Sequence, residues 1–407
     1  MDIEKLISDC EKRLAPLFER AEDVAFFNQQ KVLNAFKKNR IAPRHFEPSS
    51  GYAYDDQGRA ELNAVFADAF NAEAAIVSPL FASGTHTITA ALFGLLRPGN
   101  VCLSVSGKPY DTLLKVISGG DGSLKDFKID FVYDNECFNS DCADFDYDKT
   151  KAAIKKHTPA VVYLQRSKGY NWRKSFNIAQ IERLCAFVRK LTDAPIIVDN
   201  CYGEFVEKKE PLEVGADLIM GSLIKNPGGG LAPTGGYICG RQTLIDRVAG
   251  RYSAPGVGLE IGANPHGYKS YFQGFFMSPH VVLQAVKSAL LFGEVFKTLG
   301  IDVLDESGFD IVRAIKLGSK ERLIRFCEAI QGTSPIDAHV LPRPWAMPGY
   351  ADKVIMAAGA FVLGASIELS ADAPLHEPYI VYVQGALTYE HARIACAAAA
   401  ERVSIRD

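Results

Sequence analysis

The sequence predicts an α/β protein: a seven-stranded, mostly parallel sheet with helices on both faces, followed by a smaller α+β domain at the C-terminal end. Three observations predict it. Between residues 74 and 240, seven short apolar runs are mostly separated by helical segments, the pattern of a parallel sheet whose crossovers cover both faces. Two of these runs end in Asp199 and just before Lys225, and the carboxyl ends of parallel strands are where such sheets bind ligands. Beyond about residue 260 the alternation stops, and a long helix gives way to shorter strands and helices of the antiparallel kind. The expected division is an N-terminal helical arm over residues 1–45, a large domain over 46–260 and a small domain over 261–407.

The arm reads as helix because Leu6, Cys10, Leu14 and Leu17 recur at helical spacing. Residues 51–59 (Gly-Tyr-Ala-Tyr-Asp-Asp-Gln-Gly-Arg) form a turn-rich loop carrying Tyr54 and Arg59. A guanidinium there offers a planar fork suited to phosphate, and the stretch also reads as an ordinary exposed loop before the helix marked by Leu62, Val65, Phe66, Ala69 and Phe70. After the strand at residues 75–78 comes Ser83-Gly84-Thr85-His86, opening a helix through Ile88, Leu92 and Leu95. Free backbone N–H groups and hydroxyls at a helix start make a phosphate cup; a plain serine N-cap is the equal alternative.

Residues 101–105 give the next strand, with Tyr110 in the loop that follows. An aromatic there can stack on a flat ring, or be a half-buried core tyrosine. Strands at residues 131–133 and 160–164 follow, and the latter runs into a polar, aromatic and basic loop over residues 165–173, from Gln165 and Ser167 to Arg173. A helix through Ile178, Ile181, Cys185 and Val188 leads to the Asp199 strand, the strand before Lys225, and residues 236–239. Beyond them the pattern predicts a helix over 278–296, a strand near 311, a helix over 320–330, apolar runs at 354–360 and 361–369, a strand over 379–384 and a closing helix to 403.

Lys225 sits between an apolar run and the glycine-rich residues 228–230. It reads either as a surface lysine at a strand end or as a buried amine, which gives up its proton more readily and can then form a Schiff base with a carbonyl. Asp199 alone reads as a turn former. One short crossover joins the two strands, so their ends can share a crevice. An Asp and a Lys so placed are what pyridoxal phosphate requires: an amine for its aldehyde and a carboxylate for its ring nitrogen.

Composition bounds the rest. The chain has 407 residues, 48% hydrophobic and 23% charged, with net charge −3, which gives no support to nucleic-acid or anionic-membrane binding. Nine scattered cysteines show neither CxxC pairs nor metal-ligand spacing, so reduced thiols in a cytoplasmic protein and no bound metal are expected. The charged start, Met1-Asp2-Ile3-Glu4-Lys5, lacks a signal-peptide apolar core. Residues 74–96, the most apolar stretch, are interrupted by Pro79 and His86 and make a poor membrane span. There is no GxxxxGK[ST] motif of a P-loop nucleotide site.

The chain resembles the fold-type-I pyridoxal-phosphate enzymes of cystathionine and methionine metabolism, and more narrowly the bacterial methionine gamma-lyase family that includes aluminium-resistance proteins. The resemblance is carried, in family order, by residues 51–59, by Ser83-Gly84-Thr85-His86 and by residues 107–111 (Gly-Lys-Pro-Tyr-Asp). It continues through 165–170 (Gln-Arg-Ser-Lys-Gly-Tyr), 198–205 (Val-Asp-Asn-Cys-Tyr-Gly-Glu-Phe), 221–230 (Gly-Ser-Leu-Ile-Lys-Asn-Pro-Gly-Gly-Gly), 366–372 (Ser-Ile-Glu-Leu-Ser-Ala-Asp) and 382–391 (Tyr-Val-Gln-Gly-Ala-Leu-Thr-Tyr-Glu-His). It implies Lys225 as cofactor-bearing lysine and proton shuttle, Asp199 at the ring nitrogen and Tyr110 stacked on the ring. Ser83, Gly84, Thr85 and Ser222 are implied as phosphate cup, with Gln165 or Ser167 at the phenolic oxygen. Tyr54 and Arg59 are implied to reach the phosphate of a neighbouring subunit, hence a homodimer or homotetramer.

Where the family carries an arginine before Glu-Pro-Tyr, this chain has Leu375-His376-Glu377-Pro378-Tyr379; His376, Arg173 and Arg343 are the candidate ligands for a substrate carboxylate. The implied activity is elimination at a carbon–sulfur bond of an amino acid. Transamination and gamma-replacement are the alternatives on the same scaffold, and a cofactor-binding aluminium-resistance protein with little turnover is the alternative outside enzymology.

Overall fold

A computed structural model describes residues 2–133, 144–304, 308–347, 350 and 352–404. In chain order its elements are α1 (Ile3–Lys38), α2 (Gln57–Ala69), β1 (Ala74–Ser78), α3 (Gly84–Leu95), β2 (Val101–Ser104), α4 (Asp111–Ser118), β3 (Asp130–Tyr133), α5 (Tyr147–His157), β4 (Val161–Gln165), α6 (Ile178–Val188), β5 (Ile196–Asp199), β6 (Leu218–Ser222) and β7 (Gly236–Gly240). There follow α7 (Gln242–Tyr252), α8 (Lys269–Thr298), β8 (Asp302–Val303), β9 (Val312–Lys316), α9 (Lys320–Gly332), β10 (Val354–Ala357), β11 (Ser370–Pro374), β12 (Ile380–Gln384) and α10 (Tyr389–Ser404).

The first seven strands form one sheet in the order β1-β7-β6-β5-β4-β2-β3, parallel except for β7, which runs antiparallel to both neighbours. Its central strands are apolar throughout because both faces are covered. Successive residues of β5 and β6 enter opposite layers: Val198 and Ile219 go to one core, Ile197, Leu218 and Met220 to the other. The second sheet has the order β10-β11-β12-β9-β8 and is wholly antiparallel. This is the fold-type-I architecture, with its smaller C-terminal antiparallel domain.

The arm helix α1 lies along α8 and α10, fastened at its exposed edge by Arg13 to Glu294 and by Arg393 to Glu4 and Glu11. One expectation needs correction. The long helix begins at Lys269, nine residues before Ser278, and runs through Pro279. Proline favours a helix's first turn, but burial of Tyr271, Phe272 and Phe275 holds the preceding turns helical. Its length and apolar composition match a membrane span, yet 67% of its most apolar window is buried within the protein. Of the two apolar runs, 354–360 contains β10 and residues 361–369 form turns. The buried Glu368 carboxylate accepts from Phe361 N (2.8 Å) and Val362 N (2.9 Å), which closes the segment on itself and turns Phe361 and Leu363 outward.

The glycines after Lys225 set how closely α8 approaches the site. Gly229 has φ +54°, and a Cβ there would collide with Gly274 O of α8; a Cβ on Gly274 would collide with Gly228 O. The Ser278 hydroxyl donates to Asn226 O at 2.5 Å across the same contact. Gly274→Ala is therefore expected to lower stability by about 1–3 kcal/mol through overpacking, read as an earlier urea midpoint.

Candidate active site

The carboxyl ends of β4, β5 and β6 open into a cavity of about 300 Å³, roofed by residues of the small domain. Register explains why Asp199 and Lys225 meet there. β5 and β6 are adjacent and parallel, with Asp199 opposite Met220, so Asp199 and the residues just after β6 emerge at the same edge. Lys225 follows β6 at the start of a short 3₁₀ turn, with its Nζ 4.1 Å from the centroid of the Tyr202 ring.

Asp199 is 2% exposed and accepts from Cys201 N at 3.2 Å. Burial pushes its carboxyl above the usual range, against the pull of Lys225 and of its hydrogen bonds. For Lys225, burial disfavours the ammonium, while Cys201, Tyr202, Asp199 and Tyr110 around it favour the ammonium and prevail, so its pKa lies well above that of a free lysine. The expectation that burial alone frees the proton is corrected by these neighbours.

Ser83 caps α3, its Oγ accepting from His86 N at 3.1 Å. The first N–H groups of that helix, at Gly84 and Thr85, have no intrahelical acceptor. The helix start packs close to the end of β6, where a Cβ on Gly84 would stand 3.3 Å from Ser222 Cβ. Ser83, Gly84, Thr85 and Ser222 thus share one wall of the cavity. Tyr110 is held by two bonds: its hydroxyl donates to Thr85 Oγ1 (3.0 Å) and its N–H to Gln165 Oε1 (2.9 Å). Gln165 also donates to Ser167 O (3.1 Å), so it braces Tyr110 and the following loop while both Gln165 and Ser167 line the cavity.

The remaining sequence candidates stand elsewhere. Arg173 does not face the cavity: its guanidinium donates to the carbonyls of Lys174, Gln165 and Ser167 and lies 4.5 Å over Phe176. This bonding fixes the loop and takes up the fork that a carboxylate needs. Arg343 is exposed and outside the lining. His376 lines an adjoining pocket that shares Tyr110, Asp111, Tyr170 and Tyr350 with the main cavity, its Nδ1 2.8 Å from Glu377 O. Tyr54 is 65% exposed. Arg59 is buried, donating to the carbonyls of Gly262, Ala53 and Glu260. Neither lines the cavity of its own chain.

Lining residues not singled out from sequence include Cys201, Tyr202, Ser366, Asp372, Tyr382 and Gln384; Tyr202 is anchored to Ser366, oxygen to oxygen, at 3.0 Å.

Behind β6, Glu204 is fully buried and accepts from the Tyr237 hydroxyl at 2.8 Å. Burial pushes it up to about 8 from 4.5, with Tyr237 pulling the other way. The folded state therefore keeps a proton that the unfolded chain releases, and stability falls as pH rises from about 4.5 to about 8. Glu204→Gln should flatten this slope. Urea unfolding should show a gain on the order of 1–3 kcal/mol at pH 8 over the wild type, with little gain at pH 5.

The donor set fits pyridoxal phosphate: hydroxyls and free N–H groups at a helix start for a phosphate, a buried carboxylate for a ring nitrogen, and a half-buried amine over the Tyr202 ring for an aldehyde. The methionine gamma-lyase family model matches residues 3–404. The uncharacterized protein YnbB of Bacillus subtilis (strain 168) is 46% identical over 98% of this chain and 96% of its own length. The crystal structure of a carbon–sulfur lyase involved in aluminium resistance from Clostridium novyi NT is 45% identical, covering 98% of this chain and 96% of that one, with a TM-score of 0.93. The pyridoxal-5'-phosphate-dependent protein YhfS of Escherichia coli, 15% identical, shares the fold at a TM-score of 0.62 over 93% and 95% of the two chains. The chain belongs to the methionine gamma-lyase family, a family of pyridoxal-phosphate-dependent proteins.

Proposed function

We propose that this protein is a cytoplasmic carbon–sulfur lyase that eliminates a thiol from the beta or gamma carbon of a sulfur-containing amino acid. The observation that carries the reading is the pairing of Lys225 and Asp199 at the ends of adjacent parallel strands in one cavity. The carbon–sulfur lyase named for the Clostridium novyi relative supports it.

Bound pyridoxal phosphate supplies an electron sink for the alpha carbanion. Ser83, Gly84, Thr85 and Ser222 would hold its phosphate, Asp199 its ring nitrogen and Lys225 its aldehyde carbon. Tyr110, fixed by Thr85 and Gln165, would cover the ring face. Lys225 Nζ, the one amine among the described lining residues, would take the alpha proton in its neutral form and return it from its ammonium form. Tyr202 beneath it limits where the amine can swing. Tyr54, exposed and outside the cavity of its own chain, would reach the site of a neighbouring copy, so the working unit is a homodimer or its multiple; Arg59, bound to three carbonyls of its own chain, would hold the Tyr54 loop in place.

The test is product analysis of the purified holoenzyme with methionine, cystathionine and S-alkyl cysteines. Thiol, ammonia and an oxo acid in equal amounts are expected. Transfer of the amino group to an added oxo acid, without thiol, would replace elimination by transamination. Cofactor absorbance without any product would leave a cofactor-binding protein of the aluminium-resistance kind.

A further inference from the structure

The small domain supplies Met356, Ala358, Ser370, Asp372, Tyr382 and Gln384 to the cavity. This contribution gives the cavity an acidic balance: among the described lining residues Asp111, Asp199 and Asp372 are carboxylates, and Lys225 is the one cation. Asp199 is accounted for by a ring nitrogen, and Asp111 lies near the mouth, 3.7 Å from Lys108. Asp372 has no part in the chemistry above.

Asp372 sits on β11, where alternation turns Ala371 and Ala373 into the hydrophobic core and Ser370 and Asp372 into the cavity. It is 7% exposed. Its Oδ2 accepts from Gln384 Nε2 at 2.9 Å, while its other oxygen, shielded from water, meets no donor in full hydrogen-bond geometry among the described residues; the Tyr170 hydroxyl lies alongside the carboxylate. Burial pushes this carboxyl up to about 6, while hydrogen bonds from Tyr170 and Gln384 and the charge of Lys225 pull it down; an ammonium brought beside it would favour the anion further. A buried carboxylate oxygen without a donor is costly, and a charged donor brought by a ligand removes that cost. A ligand carboxylate on this wall would instead meet Asp372 and Asp111 as like charges.

We infer that Asp372, oriented by Gln384, is the receptor for a second, distal ammonium group on the substrate. The preferred amino acids are then thioethers that carry a basic nitrogen beyond the sulfur. The position of the sulfur rests on the lyase reading; the ammonium receptor does not.

The experiment compares S-(2-aminoethyl)-L-cysteine with its uncharged isostere S-propyl-L-cysteine and with S-(2-carboxyethyl)-L-cysteine. Holoenzyme is used, wild type and Asp372→Asn. Binding is read from the change in cofactor absorbance on rapid mixing, before turnover, and thiol release is followed separately. The wild type should bind the aminoethyl compound at least about tenfold tighter than the propyl compound, a difference of about 1.4 kcal/mol. Asp372→Asn should bring that ratio close to one. Equal binding in the wild type, tighter binding of the carboxyethyl compound, no binding of any of the three, or a ratio that survives in Asp372→Asn overturns the inference. The wild-type ratio decides the matter even if the variant does not fold. Should the ratio hold while no thiol appears, the lyase reading fails and the ammonium receptor stands.

Discussion

Lys225→Ala is expected to abolish covalent retention of the cofactor after borohydride and to lower thiol release at least about 10³-fold. The magnitude combines the loss of the nucleophilic amine with the loss of a positioned acid–base group, which alone contributes about 10²–10⁴. The surroundings explain why no neighbour substitutes for it. Cys201, Tyr202 and Tyr110, which share its cavity, are all driven by burial toward their neutral protonated forms, so none is a ready base at neutral pH. The measurement is the absorption spectrum of wild type and variant loaded with pyridoxal phosphate, before and after reduction. A long-wavelength band bleached by borohydride, with cofactor then retained through denaturation only in the wild type, is the expected result. Cofactor equally retained in Lys225→Ala would move the attachment to another residue and dismantle the proposed site.

The part of this site legible in the sequence is the part that local rules specify. Asp199 and Lys225 follow apolar strand runs, and the short connection between those strands fixes them as neighbours at one edge. Ser83-Gly84-Thr85 stands at a helix start, where N-cap preference and anion binding draw on the same orphan N–H groups. What local rules miss is the opposite wall. Ser370, Asp372 and Gln384 become cavity residues only because the small domain folds back over the β4–β6 ends. Their one local signal is the period-2 alternation with Ala371, Ala373 and Val383, which enter the core.

Arg173 misled for a related reason. A cation in a loop at a strand end has the right address for a carboxylate, yet three backbone carbonyls already claim its guanidinium. The sign of the Lys225 shift was likewise illegible, because burial is a property of one residue whereas the opposing influence comes from neighbours on other segments, Asp199 among them.

Asp199→Asn is the second large effect expected: thiol release reduced about 10²–10³-fold, the range found when one preorganised electrostatic partner is removed from an active site, with the cofactor still bound. The substitution is close to isosteric, and an asparagine oxygen can keep the bond from Cys201 N that now measures 3.2 Å. What disappears is the charge. Burial raises the Asp199 pKa, and Lys225 is the largest of the influences that favour its carboxylate. A proton on a ring nitrogen nearby would give that anion the partner that burial demands, and the neutral amide cannot reciprocate. Because the phosphate wall and Lys225 are untouched, the loss should fall on kcat, with KM for the amino acid changed only severalfold. Steady-state kinetics beside cofactor titration separates the cases. A drop in kcat at unchanged cofactor affinity supports the electrostatic role. A variant that turns over near the wild-type rate places the ring nitrogen elsewhere in the cavity, and a variant that merely loses cofactor makes Asp199 a binding group alone.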